Sequence, residues 1–117
     1  MNTLIENIST VNDLILQGKA LEAFEEFYHD DVVMQENDNP AFIGKDVNRK
    51  REKAFFEAII EFRCAKPLNI AIGEKTTMVE WYFDYTHKEL GLKKYTQVAV
   101  QQWKDGKIIK EKFYYQS

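Results

Sequence analysis

The 117-residue chain has a single cysteine, Cys64, and that scarcity removes several chemistries at once. An internal disulfide is excluded, and so is a cysteine-based metal cluster. Cys64 lies in an apolar, strand-like run, where a buried and inert thiol is expected. An excess of basic residues is also missing. Sixteen Lys and Arg stand against nineteen Asp and Glu, for a net charge of −3, so there is no electrostatic footprint for nucleic acid. The densest basic run holds Lys45, Arg49, Lys50, Arg51 and Lys53, but Asp46 and Glu52 interrupt it; it reads as a solvated helix face. No apolar window approaches a membrane span. The start Met-Asn-Thr-Leu-Ile-Glu has neither the basic region nor the apolar run of a signal peptide. A soluble, cytoplasmic protein with no nucleic-acid or membrane partner is expected. His29 and His87 have no carboxylate at ligand spacing, so no metal site is expected. No Ser/His/Asp set, phosphate loop or dinucleotide fingerprint is present, and no cofactor is expected.

Aromatic side chains, by contrast, are plentiful: eight Phe, six Tyr and two Trp. That exceeds the needs of a minimal core, so part of the set is expected to line a cavity or a partner surface. The length suits one domain over residues 1–117.

Thr3 and Glu6 read as a capping box. Leu4, Ile8, Val11 and Ile15 follow at helical spacing, and Gly18 is a natural stop. A second helix is predicted from about Lys19 to Tyr28, then a short strand over Val32–Gln35. Pro40 and Gly44 bracket a loop, and Asp46 is the expected N-cap of a third helix reaching about Phe56. That helix is expected to bury Val47, Ala54, Phe55 and Ala58. From Ile59 the period changes to strict alternation. Ile59–Ile72, Thr76–His87, Lys93–Lys104 and Lys107–Gln116 read as four long strands. Pro67, inside the first of them, predicts a bulge or an edge position. Three helices and a curved antiparallel meander make an α+β domain.

Three segments carry a family resemblance. Phe27-Tyr28-His29-Asp30-Asp31-Val32-Val33 resembles the entry to a first strand, and Phe42-Ile43-Gly44-Lys45-Asp46 the start of a third helix. Trp103-Lys104-Asp105-Gly106-Lys107-Ile108-Ile109 resembles the closing hairpin of SnoaL-like domains. In this order, over essentially the whole chain, they resemble the cystatin-like α+β barrel of the nuclear transport factor two-like superfamily. The resemblance implies three N-terminal helices packed in the concavity of a curved, mainly antiparallel sheet, and a homodimer through the sheet's outer face. Superfamily relatives include ketosteroid isomerases, polyketide cyclases, limonene-epoxide hydrolases and scytalone dehydratases, besides non-enzymatic binding domains. Ketosteroid isomerase keeps an Asp base at the end of the first strand, and alignment of Phe27–Glu36 with that segment puts Glu36 there. The isomerase's oxyanion-hole positions fall near Val11 and Ala99, which have no side-chain donor, so steroid isomerisation by that mechanism is not expected.

Two carboxylates are candidate catalysts. Glu36 closes the first strand and opens the acidic turn Glu36-Asn37-Asp38-Asn39; burial would fit it for general-base work, and the alternative is a solvated acid. Glu111 shares a strand face with Ile109, Phe113 and Tyr115, while Lys110 and Lys112 take the other. An ionised carboxylate there is costly unless paired, so Glu111 is either a functional acid or the structural partner of Arg63 or a Gln. The Asp105-Gly106 turn leaves the register open. A two-residue turn places Val98, Val100 and Gln102 beside Glu111, whereas a three-residue loop places Gln97, Ala99, Gln101 and Trp103 there. The second is favoured, because the resemblance puts the closing aromatic inward. On the Thr76–His87 strand, Val79, Trp81, Phe83 and Tyr85 are expected inside rather than Met78, Glu80, Tyr82 and Asp84. The expected pocket is thus lined by Phe55, Trp81, Gln101, Trp103, Phe113 and Tyr115, and its ligand is a small apolar molecule. Two functions remain open. One is a cofactor-independent isomerase, cyclase, lyase or hydrolase using Glu36 or Glu111; the other is a non-catalytic ligand-binding or protein-interaction domain.

Overall fold

A computed structural model describes residues 2–116. The element order is α1 (Leu4–Leu16), α2 (Ala20–Phe27), β1 (Tyr28–Glu36), β2 (Phe42–Ile43), α3 (Lys45–Glu57), β3 (Ile59–Ile72), β4 (Thr76–His87), β5 (Gly91–Lys104) and β6 (Lys107–Tyr114). The strands form one sheet in the order β2-β1-β6-β5-β4-β3. The pairing of β1 with β6 is parallel and the other four pairings are antiparallel. Three helices on an open, curved mixed sheet give the α+β, cystatin-like architecture.

Local chemistry accounts for most of the elements. Thr3 and Glu6 form the capping box at the start of α1, which satisfies amides that the first helical turn leaves free. Ile8 and Val11 are buried along one side of that helix. The helix α2 buries Ala23, Phe24 and Phe27 and passes without a linker into β1, which begins at Tyr28 rather than at Val32. The start of α3 differs from expectation. Its N-cap is Gly44, not Asp46, and the φ of 101° at this residue lies where a side chain would be strained.

The buried side of α3 also differs. Val47 is 46% exposed while Asn48 is wholly buried, because the helix is held to the sheet by hydrogen bonds rather than by an apolar stripe. Asn48 Nδ2 donates to the Phe42 and Gly44 carbonyls at 3.0 and 2.9 Å. A buried amide with its donors satisfied is tolerated where an unpaired one is not.

The closing hairpin resolves the register in an unexpected way. Lys104 pairs with Lys107 across a two-residue turn, with a bulge between Gln102 and Trp103 and their partners. Asp105 and Gly106 have φ of 53° and 77°, which matches the twist of the flanking strands. Trp103 faces Ile108 and Gln102 faces Lys110, so Ile109 is the extra residue. The bulge restores the parity that the two-residue turn would have inverted. Ala99, Gln101 and Trp103 are buried together with Glu111, as expected, but Ile108 and not Ile109 joins them. On β4, Val79, Trp81 and Tyr85 are buried. The edge strand β3 carries Pro67 beside one of its three register shifts, in keeping with its missing N–H.

Candidate functional site

The concave side of the sheet holds two groups of polar side chains, one deep and one at the rim. The deep group is built by β1, β4, β5 and β6. Because Met34 pairs with Glu111 and Gln101 also pairs with Glu111, the Glu111 side chain enters the core between two other strands. It is 4% exposed. One oxygen, Oε1, accepts from the Tyr28 hydroxyl; the other, Oε2, accepts from Gln101 Nε2 at 2.7 Å. The Tyr28 ring is held by stacking on Phe24 at 4.8 Å. Behind Gln101, the Thr77 hydroxyl donates to Gln101 Oε1 at 2.6 Å, and Trp103 Nε1 donates to Thr77 Oγ1 at 2.9 Å. Burial pushes the Glu111 carboxyl up, and the bonds from Gln101 and Tyr28 oppose that rise. The possible pairing with Arg63 does not occur. Arg63 bonds to Asp84 and Glu61 instead, whereas the pairing with a Gln does.

The rim group is centred on Glu36, the last residue of β1. Arg51 Nη2 lies 3.3 Å from its Oε2, and the Tyr115 hydroxyl donates to Oε1 at 2.8 Å. Asn48 Oδ1 accepts from Arg51 at 3.0 Å, and the guanidinium lies over the Phe42 ring at 3.6 Å. Tyr115 follows the end of β6 and is anchored by its own amide, which donates to Asn37 Oδ1 at 2.9 Å. Burial and the hydrogen bond to Glu36 together push the Tyr115 phenol up to about 12. Its ring lies 5.6 Å from that of Tyr95, whose hydroxyl is 2.8 Å from that of Tyr85.

Glu52 links the two groups. It is half-buried on α3, four residues after Asn48, and is pushed up to about 7 by burial first and then by the charge of Glu111. Arg51 opposes this and Glu36 adds to it. Sequence reasoning missed Glu52, because Glu52 breaks a basic run and the run reads as a solvated face. Its spacing with Asn48 and Phe55 was the available signal: residues four and seven apart share one side of a helix. Tyr28 was legible only as the end of a predicted helix, and Arg51, Thr77 and Tyr95 carried no motif.

The six side chains expected to line a pocket differ in burial. Trp81, Gln101 and Trp103 are core residues, whereas Phe55, Phe113 and Tyr115 are half-buried. Trp81 stacks on Phe83 at 5.4 Å, Phe83 lies 5.9 Å from Tyr95, and Phe55 meets Tyr85 edge-on at 5.7 Å. Two open depressions border these groups, one at Tyr95 and one at Trp103. One, of about 500 Å³, is lined by Leu92–Thr96 and Gln116; the other, of about 270 Å³, is lined by Leu4, Glu74, Lys75 and Trp103–Gly106. His87 is buried against Phe55, and Cys64 is half-buried rather than buried. Among the described residues no cluster of His, Cys, Asp and Glu is placed to hold a metal ion, and no helix is long and apolar enough to cross a membrane.

A model of the SnoaL-like domain matches residues 3–115. The sequence matches no curated protein. Among solved structures, the chain is similar to a candidate SnoaL-like polyketide cyclase from Mesorhizobium loti. The TM-score is 0.87 at 25% identity, covering 97% of this chain and 100% of that one. A protein of unknown function with a cystatin-like fold from Xanthomonas campestris gives 0.84 at 17% identity, covering 100% and 92%. An LEH-like epoxide hydrolase from M. tuberculosis gives 0.76 at 15% identity, covering 96% and 81%. At these lower identities the likeness shows the fold alone.

Proposed function

The chain belongs to the SnoaL-like domain family, and from that premise we propose that it is a cofactor-independent acid–base enzyme acting on a small, mostly apolar molecule. One observation carries this reading. A half-buried carboxyl, Glu52, is pushed up to about 7 beside a second, wholly buried carboxyl, Glu111, whose hydrogen-bond partners are neutral. Carboxyls held near the working pH exchange protons with a substrate in either direction. Glu52 is the proton-transferring group in this reading, and Glu111 is the neighbour that keeps its proton on. Glu36, fixed by Arg51 and Tyr115, orients the rim, and the Tyr85–Tyr95 pair, whose two hydroxyls share one hydrogen bond, keeps one hydrogen to donate to an oxygen that gains charge. Isomerisation, cyclisation, lyase chemistry and epoxide opening all need such a proton transfer. Polyketide cyclases and epoxide hydrolases are named among the similar structures.

The test is turnover of a panel of small apolar epoxides, enones and polyketide-like ketones. Glu52→Gln is expected to lower the rate by about 10²–10⁴-fold; an unchanged rate removes Glu52 from the reaction.

A second reading, a non-catalytic ligand-binding domain, is favoured by the contiguous packed rings of Trp81, Phe83, Tyr95 and Tyr85. Native mass spectrometry separates the two: a molecule retained and released unchanged supports binding. The sheet's outer face, with Met78, Tyr82 and Tyr114, is the surface we propose for pairing with a second copy. Sedimentation velocity checks it, and a monomer at micromolar concentration removes it.

A further inference from the structure

We propose that Trp103, Thr77 and Gln101 form a one-way hydrogen-bond relay that holds Glu111 Oε2 as an acceptor and confines that carboxyl's proton to Oε1, against the Tyr28 hydroxyl. The proposal deepens the acid–base reading and rests on it for its relevance to catalysis, but not for its test.

The direction follows from the donors available. An indole nitrogen only donates, so the Trp103 Nε1 contact at 2.9 Å makes Thr77 Oγ1 an acceptor. The single hydroxyl hydrogen of Thr77 then points to Gln101 Oε1, 2.6 Å away. With its oxygen occupied, the Gln101 amide presents its nitrogen to Glu111 Oε2 at 2.7 Å. Turning the amide over would aim two donors at Thr77 Oγ1 and leave the hydroxyl hydrogen without an acceptor. Thr77, Gln101 and Trp103 are all buried, where an unmade hydrogen bond carries the full cost of desolvation. A proton on Glu111 Oε2 would face the Gln101 N–H, so the proton belongs on Oε1. Ionised, Oε1 accepts from the Tyr28 hydroxyl; protonated, it donates to the Tyr28 oxygen. The titratable groups acting on this carboxyl's surroundings are Tyr28 on β1 and Glu52 on α3, with Glu36 and Arg51 acting on Glu52. Thr77 and Trp103 are positioning residues. They act on the carboxyl through Gln101.

The test is a pH titration of the full chain without substrate, following the carboxyl carbons of Glu52 and Glu111 and the Trp103 indole nitrogen by NMR. In the wild-type protein the indole signal is expected to move with the Glu111 midpoint. A flat indole signal through that transition overturns the relay. Thr77→Val removes the donor that fixes the Gln101 amide; with its donation to Glu111 lost, the Glu111 midpoint is expected to rise by about one pH unit, the scale of one hydrogen bond to the charged form, and Thr77→Ser to restore it. A folded Thr77→Val protein with the Glu111 midpoint unmoved also overturns it. Where the valine variant does not fold, the wild-type indole measurement decides. The outcomes are separable. A near-neutral Glu52 with a flat indole signal removes the relay alone, whereas ordinary carboxyl midpoints for both acids remove the acid–base reading.

Discussion

Two carboxylates of this chain, Glu111 and Glu36, face the same concavity, and their surroundings are opposite. Glu111 is buried and bonded to a phenol and an amide. Glu36 sits at the rim, 42% exposed, with an arginine and a phenol. The first environment penalises the charged form, whereas the second leaves the carboxylate open to solvent. The contrast teaches that position along a strand says little about what an acid can do. The partners brought in by the neighbouring strands and helix decide it. Glu52, between the two, inherits its behaviour from both: the buried acid pushes it up and the rim arginine draws it down.

Four perturbations break or sharpen this comparison. The largest effect is expected at the deep site. Gln101→Leu removes the donor to Glu111 and the acceptor for Thr77, and is expected to cost about 2–3 kcal/mol of stability at pH 8, read as a lower urea midpoint. The next is a pH effect. Carboxyls whose pKa is raised on folding bind protons more tightly in the native state. Stability from Glu52 is therefore fully present below the ordinary value of 4.5 and is lost as pH rises toward about 7. Wild-type stability is expected to fall by about 2 kcal/mol between pH 5 and pH 8 from this group, and Glu52→Gln to flatten that fall. A third, smaller effect belongs to the rim. Arg51→Ala is expected to cost less than about 1 kcal/mol, because its ion pair is partly solvated, and to raise the Glu52 midpoint; Glu36→Gln should lower it. Opposite signs from the two rim partners would confirm that Glu52 senses both. The smallest effect is that of Tyr115→Phe, expected to change stability by about 0.5–1 kcal/mol and to leave the Glu111 midpoint unmoved. A shift there would show that the two groups are not separate.

Much of this was readable before the fold was known. The capping box at Thr3 and Glu6, the change from helical to alternating period at Ile59 and the inward set on β4 follow from local spacing. Other features were misread for identifiable reasons. The α3 helix reads as anchored by Val47 because apolar spacing is the usual signal, but Asn48 anchors it by hydrogen bonds to the loop before it. The closing hairpin reads as needing a three-residue loop to bring Trp103 inside, whereas a two-residue turn and a bulge at Ile109 reach the same parity. A bulge is set by strand pairing across the sheet and has no one-residue signature.

The candidate site divides in the same way. Glu36 and Glu111 stood out, because a carboxylate at a strand end or among alternating apolar residues violates a local pattern. Glu52 did not, because its neighbours along the chain are basic and its neighbours in space are acids on β1 and β6. By itself, then, the sequence determined the α+β architecture, the family and two acids worth watching, since periodicity and turn chemistry act over a few residues. Only the tertiary structure decided which acid is raised, what holds it and which residue faces it. Desolvation and charge coupling depend on distances between strands and a helix that lie far apart in the chain.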